Sequence, residues 1–429
     1  MNLSDPLQTN SFEIESAFIH PHEGKKEKVA IDVSAIKQFE YSEGLMQKYL
    51  TVTLKIEDTT SSLFEAIYGM EEIEIIVYDE FSDKKLEFTR ESANGSLFIY
   101  EVHSKDVNDT RKEFVIELCR EDALNNAVTR IGKKYTSISA KELVKDVIEK
   151  ELKSKKPIDL EGIDDSYNKV TFIPPNSKPY EVLVWTRNKF ISMDQKTSKS
   201  GGANVSAGYF FWEGYDSYQF RSFDSIAGQD GQAAAYSIGQ GSGGGADEAF
   251  RLQGINFPKT LNIMENFDQG FYSGEIDFFD ITDCEVDTYR YNIKDNYAKW
   301  EKVAAQKDLP VLYKEALSDV STRTMTVAYT KDLFLGSDED NTNDKLMFLE
   351  TVGQAVSRFG VFTSQILTAS CMSNLELRAG NIISIEIYGA DGEVDKNQSG
   401  RYILFELRHI GTGANMRTNL TLVRDSFGV

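Results

Sequence analysis

Apolar and polar residues alternate with a period of two along much of this chain, most cleanly near its C-terminal end. In Ile382–Tyr388 the residues Ile383, Ile385 and Ile387 share one face, while Ser384 and Glu386 take the other. In Ser399–His409 the same rhythm places Ile403, Phe405, Leu407 and His409 together, and Thr418–Asp425 continues it. This spacing, bounded by Gly, Asn and Asp, predicts half-buried antiparallel strands. Gly380 and Gly400 stand where two of the strands begin and can supply the positive φ of a tight turn. The expectation is a three-stranded meander closing a β-barrel or sandwich. Its core is Ile383, Ile385, Ile387, Ile403, Phe405 and Leu407, and His409 is a core or interface candidate.

The N-terminal third reads the same way. Strands are predicted at 12–20, 29–33, 36–41, 49–57, 72–78, 86–89, 96–103 and 113–120, with one short capped helix at 59–68. From Glu121 the period lengthens to that of amphipathic helices at 123–134 and 139–152, with a third at 180–190 behind the proline-rich connector 173–179. A hairpin follows, pairing 208–213 with 218–224. The Gly-rich stretch 227–247 reads as a flexible linker. Strands resume at 251–257, 260–264, 274–280 and 284–291, and a helix at 345–359 is stopped by Gly360. The expected division is a first barrel at 1–120, an α+β domain at 121–226, the linker 227–247, a second barrel from 248–291 and 345–429, and a charged insertion at 292–344. The fold class is mainly β with an α+β insertion.

Composition narrows the function. A hydrophobic content of 41% supports real cores, and no apolar run reaches the roughly 20 residues needed to cross a bilayer. The polar start predicts synthesis in a cytoplasm without a secretory address and no membrane insertion. Cys119, Cys284 and Cys371 are far apart and read as buried small hydrophobes. The formal net charge of −21 opposes gripping a phosphate backbone, yet suits nucleic acid that passes without sticking. His20-Pro-His22 beside Glu23 lacks a third metal ligand, and the acidic run 337–344 lacks the glycine of an EF-hand loop. None of the four histidines adjoins a nucleophile elbow or a reactive cysteine. The aromatic hairpin (Tyr209, Phe210, Phe211, Trp212, Phe220, Phe223) reads as a domain core rather than a base-stacking platform. No catalytic, metal-binding or cofactor-binding residues are therefore named, and no cofactor is expected.

Several segments resemble a known family. They are Lys178-Pro-Tyr-Glu-Val-Leu-Val-Trp185, Ala207-Gly-Tyr-Phe-Phe-Trp-Glu213 with Tyr218-Gln-Phe-Arg-Ser-Phe-Asp224, and Glu265-Asn-Phe-Asp-Gln-Gly-Phe-Tyr-Ser273. The closing segment adds Ala379-Gly380 before an Ile-rich strand, Ser399-Gly-Arg-Tyr402, a strand ending in His409, and Val423-Arg-Asp425. In this order they resemble the central baseplate hub proteins of contractile-tailed, T-even-like bacteriophages, relatives of the hub part of type VI secretion spike proteins. The resemblance implies a homotrimer with two tail-tube-like barrels per chain, located in the virion's tail baseplate and made in the bacterial host cytoplasm. Its implied partners are a hexameric tail tube, a trimeric spike that in the family often carries lysozyme activity, baseplate wedge proteins, and genomic DNA passing without specific binding. A glycan-cleaving tail enzyme and a host-receptor adhesin are the alternatives.

Overall fold

The first eight strands are β1 (Asn10–His20), β2 (Val29–Ala30), β3 (Ile36–Gly44), β4 (Thr51–Asp58), β5 (Glu72–Asp79), β6 (Lys84–Phe88), β7 (Leu97–Asn108) and β8 (Arg111–Arg120). They come from a computed structural model that describes residues 10–21, 28–59, 63, 67–108, 111–156, 158, 160–192, 206–231, 235–238, 250–259, 262–281, 284–297, 300–303, 321–329, 342–389 and 391–425. β4 shows why alternation forms them: Val52, Leu54 and Ile56 are buried, while Thr51, Thr53 and Lys55 are half-exposed. The helix expected at 59–68 lies largely outside the described residues.

The middle of the chain is built from short elements. They are α1 (Glu121–Val128), β9 (Tyr135–Ile138), α2 (Ala140–Asp146), β10 (Val170–Phe172), α3 (Pro179–Thr186), the hairpin β11 (Tyr209–Glu213) and β12 (Tyr218–Ser222), and α4 (Phe223–Ala227). α1 is shorter than its expected span, because the β-branched Val128, Thr129 and Ile131 favour extended backbone beyond it. Ser139 and Glu142 form the capping box that starts α2, and a π-helical turn at Val147–Glu151 extends it.

The remaining elements are β13 (Ala235–Ile238), β14 (Gln253–Lys259), α5 (Ile263–Asp268), β15 (Ser273–Asp280), β16 (Val286–Asn292), α6 (Lys294–Tyr297), β17 (Thr324–Tyr329), α7 (Thr342–Phe362), β18 (Gln365–Met372), β19 (Ile382–Ile387), β20 (Gly400–Thr412) and β21 (Asn415–Arg424).

One 14-stranded sheet carries most of these strands. β3, β4, β8, β7, β5 and β1 pair in that order, and β1 meets β21 through Asn10–Met416 and Ser11–Asn415. β21 pairs with β20, and β20 returns to β3 through Glu406–Thr412, which closes a round. The opposite halves of the same hairpin enter a second round. Gly400–Ile403 pairs with β19, and Arg417–Arg424 with β18. β19 holds β13 in parallel, β18 holds β14, and a bridge between Ser237 and Arg251 brings those outer strands together. The two rounds thus share the β20–β21 hairpin and one continuous apolar core.

Several expectations are corrected here. β13 lies inside the stretch expected to be a flexible linker, because Tyr236 and Ile238 bury apolar surface in the main core. β15 and β16, expected in the second barrel, form a separate three-stranded sheet with β17 from the expected insertion. Alternation reports a half-buried face but not which sheet owns it. Ile263 and Met264, expected to end a strand that starts at 260, instead open the helix Ile263–Asp268, since Asn262 caps the backbone N–H of Glu265 at 3.1 Å. α7 runs through Gly360 without stopping. That glycine is a close-approach site, because a Cβ there would lie 2.0 Å from the ring of Phe271. Cys119 and Cys371 are buried, as expected, but Cys284 is exposed in a turn with φ +57°. No described helix is long and apolar enough to cross a membrane.

Candidate functional site

Long-range polar contacts converge where β3, the β11–β12 hairpin and the turn before β19 meet. Glu43, near the end of β3, is fully buried. Its Oε2 accepts the Tyr41 hydroxyl at 2.6 Å and the Tyr215 backbone N–H at 3.1 Å, and its Oε1 accepts the Ala379 N–H at 2.6 Å. One carboxylate therefore ties together three segments far apart in sequence, through charge-assisted hydrogen bonds. Arg378 closes the same corner: it lies over the Tyr215 ring, donates to Leu377 O at 3.0 Å and pairs with Asp216 at 2.8 Å.

Beside it, Arg120 Nε lies 3.2 Å from Glu213 Oε1, and both side chains are buried. Burial pushes the Glu213 carboxyl up, against the pull of Arg120 and Lys156. Burial and the charge of Arg120 pull the Lys156 ammonium well down. Lys156 Nζ donates to the Gly214 and Tyr215 carbonyls at 2.5 and 2.9 Å, so it anchors the hairpin turn. Tyr180 and Tyr218 hydroxyls meet at 3.0 Å, and Tyr218 donates to Asp122 at 2.6 Å.

A second knot lies on the other side of the hairpin. Arg358 of α7 is fully buried; its NH1 donates to Asp425 Oδ2 at 3.1 Å and its NH2 approaches Asp224 Oδ1 at 3.5 Å. Asp224 Oδ2 accepts the Ser206 N–H and hydroxyl at 2.8 and 2.6 Å, and Asp425 Oδ1 accepts the Val303 N–H at 3.1 Å. Arg424, also buried, donates to Ser399 O at 3.1 Å and stacks on Tyr402. The Val-Arg-Asp ending of the last strand thus works as a polar clasp.

A cleft of about 420 Å³ opens beside Lys156, lined by Glu72, Arg90, Arg120, Asp122 and Lys155 among others. Hydrogen bonds from Arg90 and Ser96 overcome desolvation to hold the Glu72 carboxyl below its ordinary range; the down-shifted Lys156 lines this wall and the up-shifted Glu213 does not. These groups tie the β7–β8 strands, α1 and the hairpin turn together at one junction.

The meander residues divide between two cores. Ile383, Ile385, Ile387 and Leu407 lie in the main core with Tyr402 and Leu404. Ile403 and Phe405, expected beside them, face a different cluster containing Phe210, Trp212, Phe223 and Phe362. The reason is a β-bulge between Leu404 and Glu406, which resets the alternation so that Leu404 and Leu407 point the same way. Gly380 has φ +88° and Gly400 has φ +127°. At Gly380 a Cβ would sit 2.8 Å from Trp212. The aromatic residues of the β11–β12 hairpin, including Phe210, Phe211 and Trp212, are buried.

His409 is a core residue. It is fully buried in its own chain, stacked on Tyr41 at 5.7 Å, with Nδ1 2.8 Å from the Thr418 hydroxyl. Burial, aided by Arg378, lowers its pKa from an ordinary 6.5 to about 3. Between those values only the unfolded chain binds the proton, so stability falls as pH drops below about 6.5. The expected slope is about 1.4 kcal/mol per pH unit from this residue alone. Urea unfolding at pH 7 and pH 5 checks it: His409→Phe should lose less stability over that interval than the native chain.

Sequence reasoning missed Glu43, Arg358 and Lys156, whose partners are remote in the chain. Glu213 carried a signal, since a carboxylate ending the run Tyr-Phe-Phe-Trp-Glu has no polar flank to expose it.

No family model and no curated protein matches the sequence. Solved structures do match. A tail protein from Neisseria meningitidis MC58 aligns over 97% of this chain and 97% of its own, with TM-score 0.56 and 10% identity. The 43 kDa tail protein of prophage MuSo2 from Shewanella oneidensis aligns over 96% and 99%, with TM-score 0.52 and 8% identity. A type VI secretion system component from E. coli aligns over 98% and 79%, with TM-score 0.43 and 9% identity. At such identities the likeness is one of fold, and over nearly its whole length this chain has the fold of the two tail proteins.

Proposed function

We propose that this protein is the central hub of a contractile-tail baseplate. In this reading three copies join a hexameric tail tube to a trimeric spike and line the channel through which DNA leaves. The observation that carries the reading is the two-way, nearly full-length fold likeness to two tail proteins. The chain's own architecture supports it. Each chain carries two sheet rounds locked together by one hairpin, so a trimer holds six rounds, which suits a sixfold tube on one side and a threefold spike on the other. The net charge of −21 fits a channel past which phosphate slides. The role is structural, and wedge proteins are the expected outer neighbours.

The test is the mass of the purified chain in solution, alone and with its spike partner, followed by electron microscopy of any ring. A trimer that forms a ring with pseudo-sixfold density on one face is the expected result. A chain that stays monomeric with the spike present, or that clears peptidoglycan at enzymatic turnover, contradicts the proposal.

A further inference from the structure

Three side chains on the solvent side of β7 and β8 stand apart from everything described above. Glu101 and Glu117 are directly paired across the two strands. Like charges in that position repel, and an antiparallel pair gives them no room to diverge. His103, two residues beyond Glu101 and therefore on its face, lies 3.2 Å from Glu101 Oε1 and 3.8 Å from Glu117 Oε1 through its Nε2. Tyr100, placed by a bulge between Ile99 and Glu101, donates its hydroxyl to Glu117 Oε2 at 2.5 Å. One ligand atom from each of Glu101, His103 and Glu117 lies within 4.8 Å of the others.

We propose that Glu101, His103 and Glu117 bind a divalent transition-metal ion, zinc before magnesium or calcium. One imidazole nitrogen and two carboxylate oxygens make a borderline ligand set, which oxygen-seeking cations do not prefer. Three protein ligands leave the fourth tetrahedral position to water. The metal would cancel the repulsion of the paired carboxylates, and Tyr100 would orient Glu117 from outside the ligand shell. Because the strands hold Glu101 and Glu117 opposite each other without the ion, little ordering is needed on binding. The sequence hid the set, since Glu117 lies on the strand after the His-bearing one.

The experiment uses untagged, chelator-treated full-length protein. Calorimetric titration with Zn²⁺ should show one tight site per chain, and Co²⁺ in its place should give the visible absorption of a four- or five-coordinate ion. Loss of an outer-shell partner alone weakens a metal site about 10–100-fold. His103→Ala and Glu117→Gln should each weaken Zn²⁺ binding by at least about tenfold and abolish the Co²⁺ band. Both residues are solvent-facing, and circular dichroism should be unchanged in both variants. His20→Ala, which removes the histidine paired with Glu74 at 3.1 Å, should leave binding intact. Absence of Zn²⁺ binding to the native chain, or binding unaffected by His103→Ala and Glu117→Gln, would overturn the proposal.

Discussion

Replacing Arg358 by Met should destabilise the chain by about 3–5 kcal/mol, the range for breaking a buried ion pair from one side. The guanidinium is fully buried and sits between Asp224 and Asp425, whose own contacts reach Ser206 and Val303. Methionine fills much of the same space, so the cost is electrostatic: two buried carboxylates lose their cation. It also removes the donor to the Glu301 carbonyl and the stacking of the guanidinium 5.2 Å from the Trp300 ring centroid. Urea unfolding gives the size of the loss. The triple replacement Arg358→Met, Asp224→Asn, Asp425→Asn should recover part of it, because the two buried negative charges that faced the guanidinium disappear with it. A single-variant loss below about 1 kcal/mol would mean that the three groups are not coupled as described.

Strands were legible where residue type, and not burial alone, alternates between a core face and a water face. Thr51–Asp58 and Gln365–Met372 both alternate without a break in burial, yet only the first is legible in the sequence, because apolar Ile366 and Met372 stand on the outer face of the second and polar Gln365 on its buried face. Sheet membership was not legible. β15 alternates as β19 does but belongs to another sheet, and β13 adds two buried residues, Tyr236 and Ile238, within a Gly-rich stretch. Gly360 was read as a stop because sequence cannot reveal that Phe271 needs the space of a missing Cβ. The polar junctions were hidden for the same reason. Glu43 meets Ala379 only after the chain has folded across its whole length, and local patterning carries no trace of such a meeting. The strand expected at 260–264 fails likewise, because the Asn262 side chain caps the Glu265 N–H and starts a helix there.

The bulge at Phe405 makes the last expectation a sharp one. In an unbroken strand Leu404 and Leu407 would face opposite sides, since their separation is odd. Here both lie in the main core at 0% exposure, while Phe405 and Glu406 between them stay partly exposed. Leu404→Ala and Leu407→Ala should therefore each cost about 2–5 kcal/mol, the range for truncating a fully buried leucine. That is a large share of the roughly 5–15 kcal/mol that holds an ordinary domain together. Glu406→Gln, which removes the charge from a part-exposed pair with Arg408 at 2.8 Å, should change stability by no more than about 1 kcal/mol, the range of exposed ion pairs. The effect reaches beyond local packing, because Leu404 pairs with Leu422 and Leu407 with Leu420 at the crossing between the two sheet rounds. Weakening either leucine should loosen both rounds at once, so unfolding followed by tryptophan fluorescence and by far-ultraviolet dichroism should shift together. If Leu404→Ala proves as mild as Glu406→Gln while Leu407→Ala is severe, the strand alternates without a bulge and the hairpin does not bridge the two rounds in the manner described.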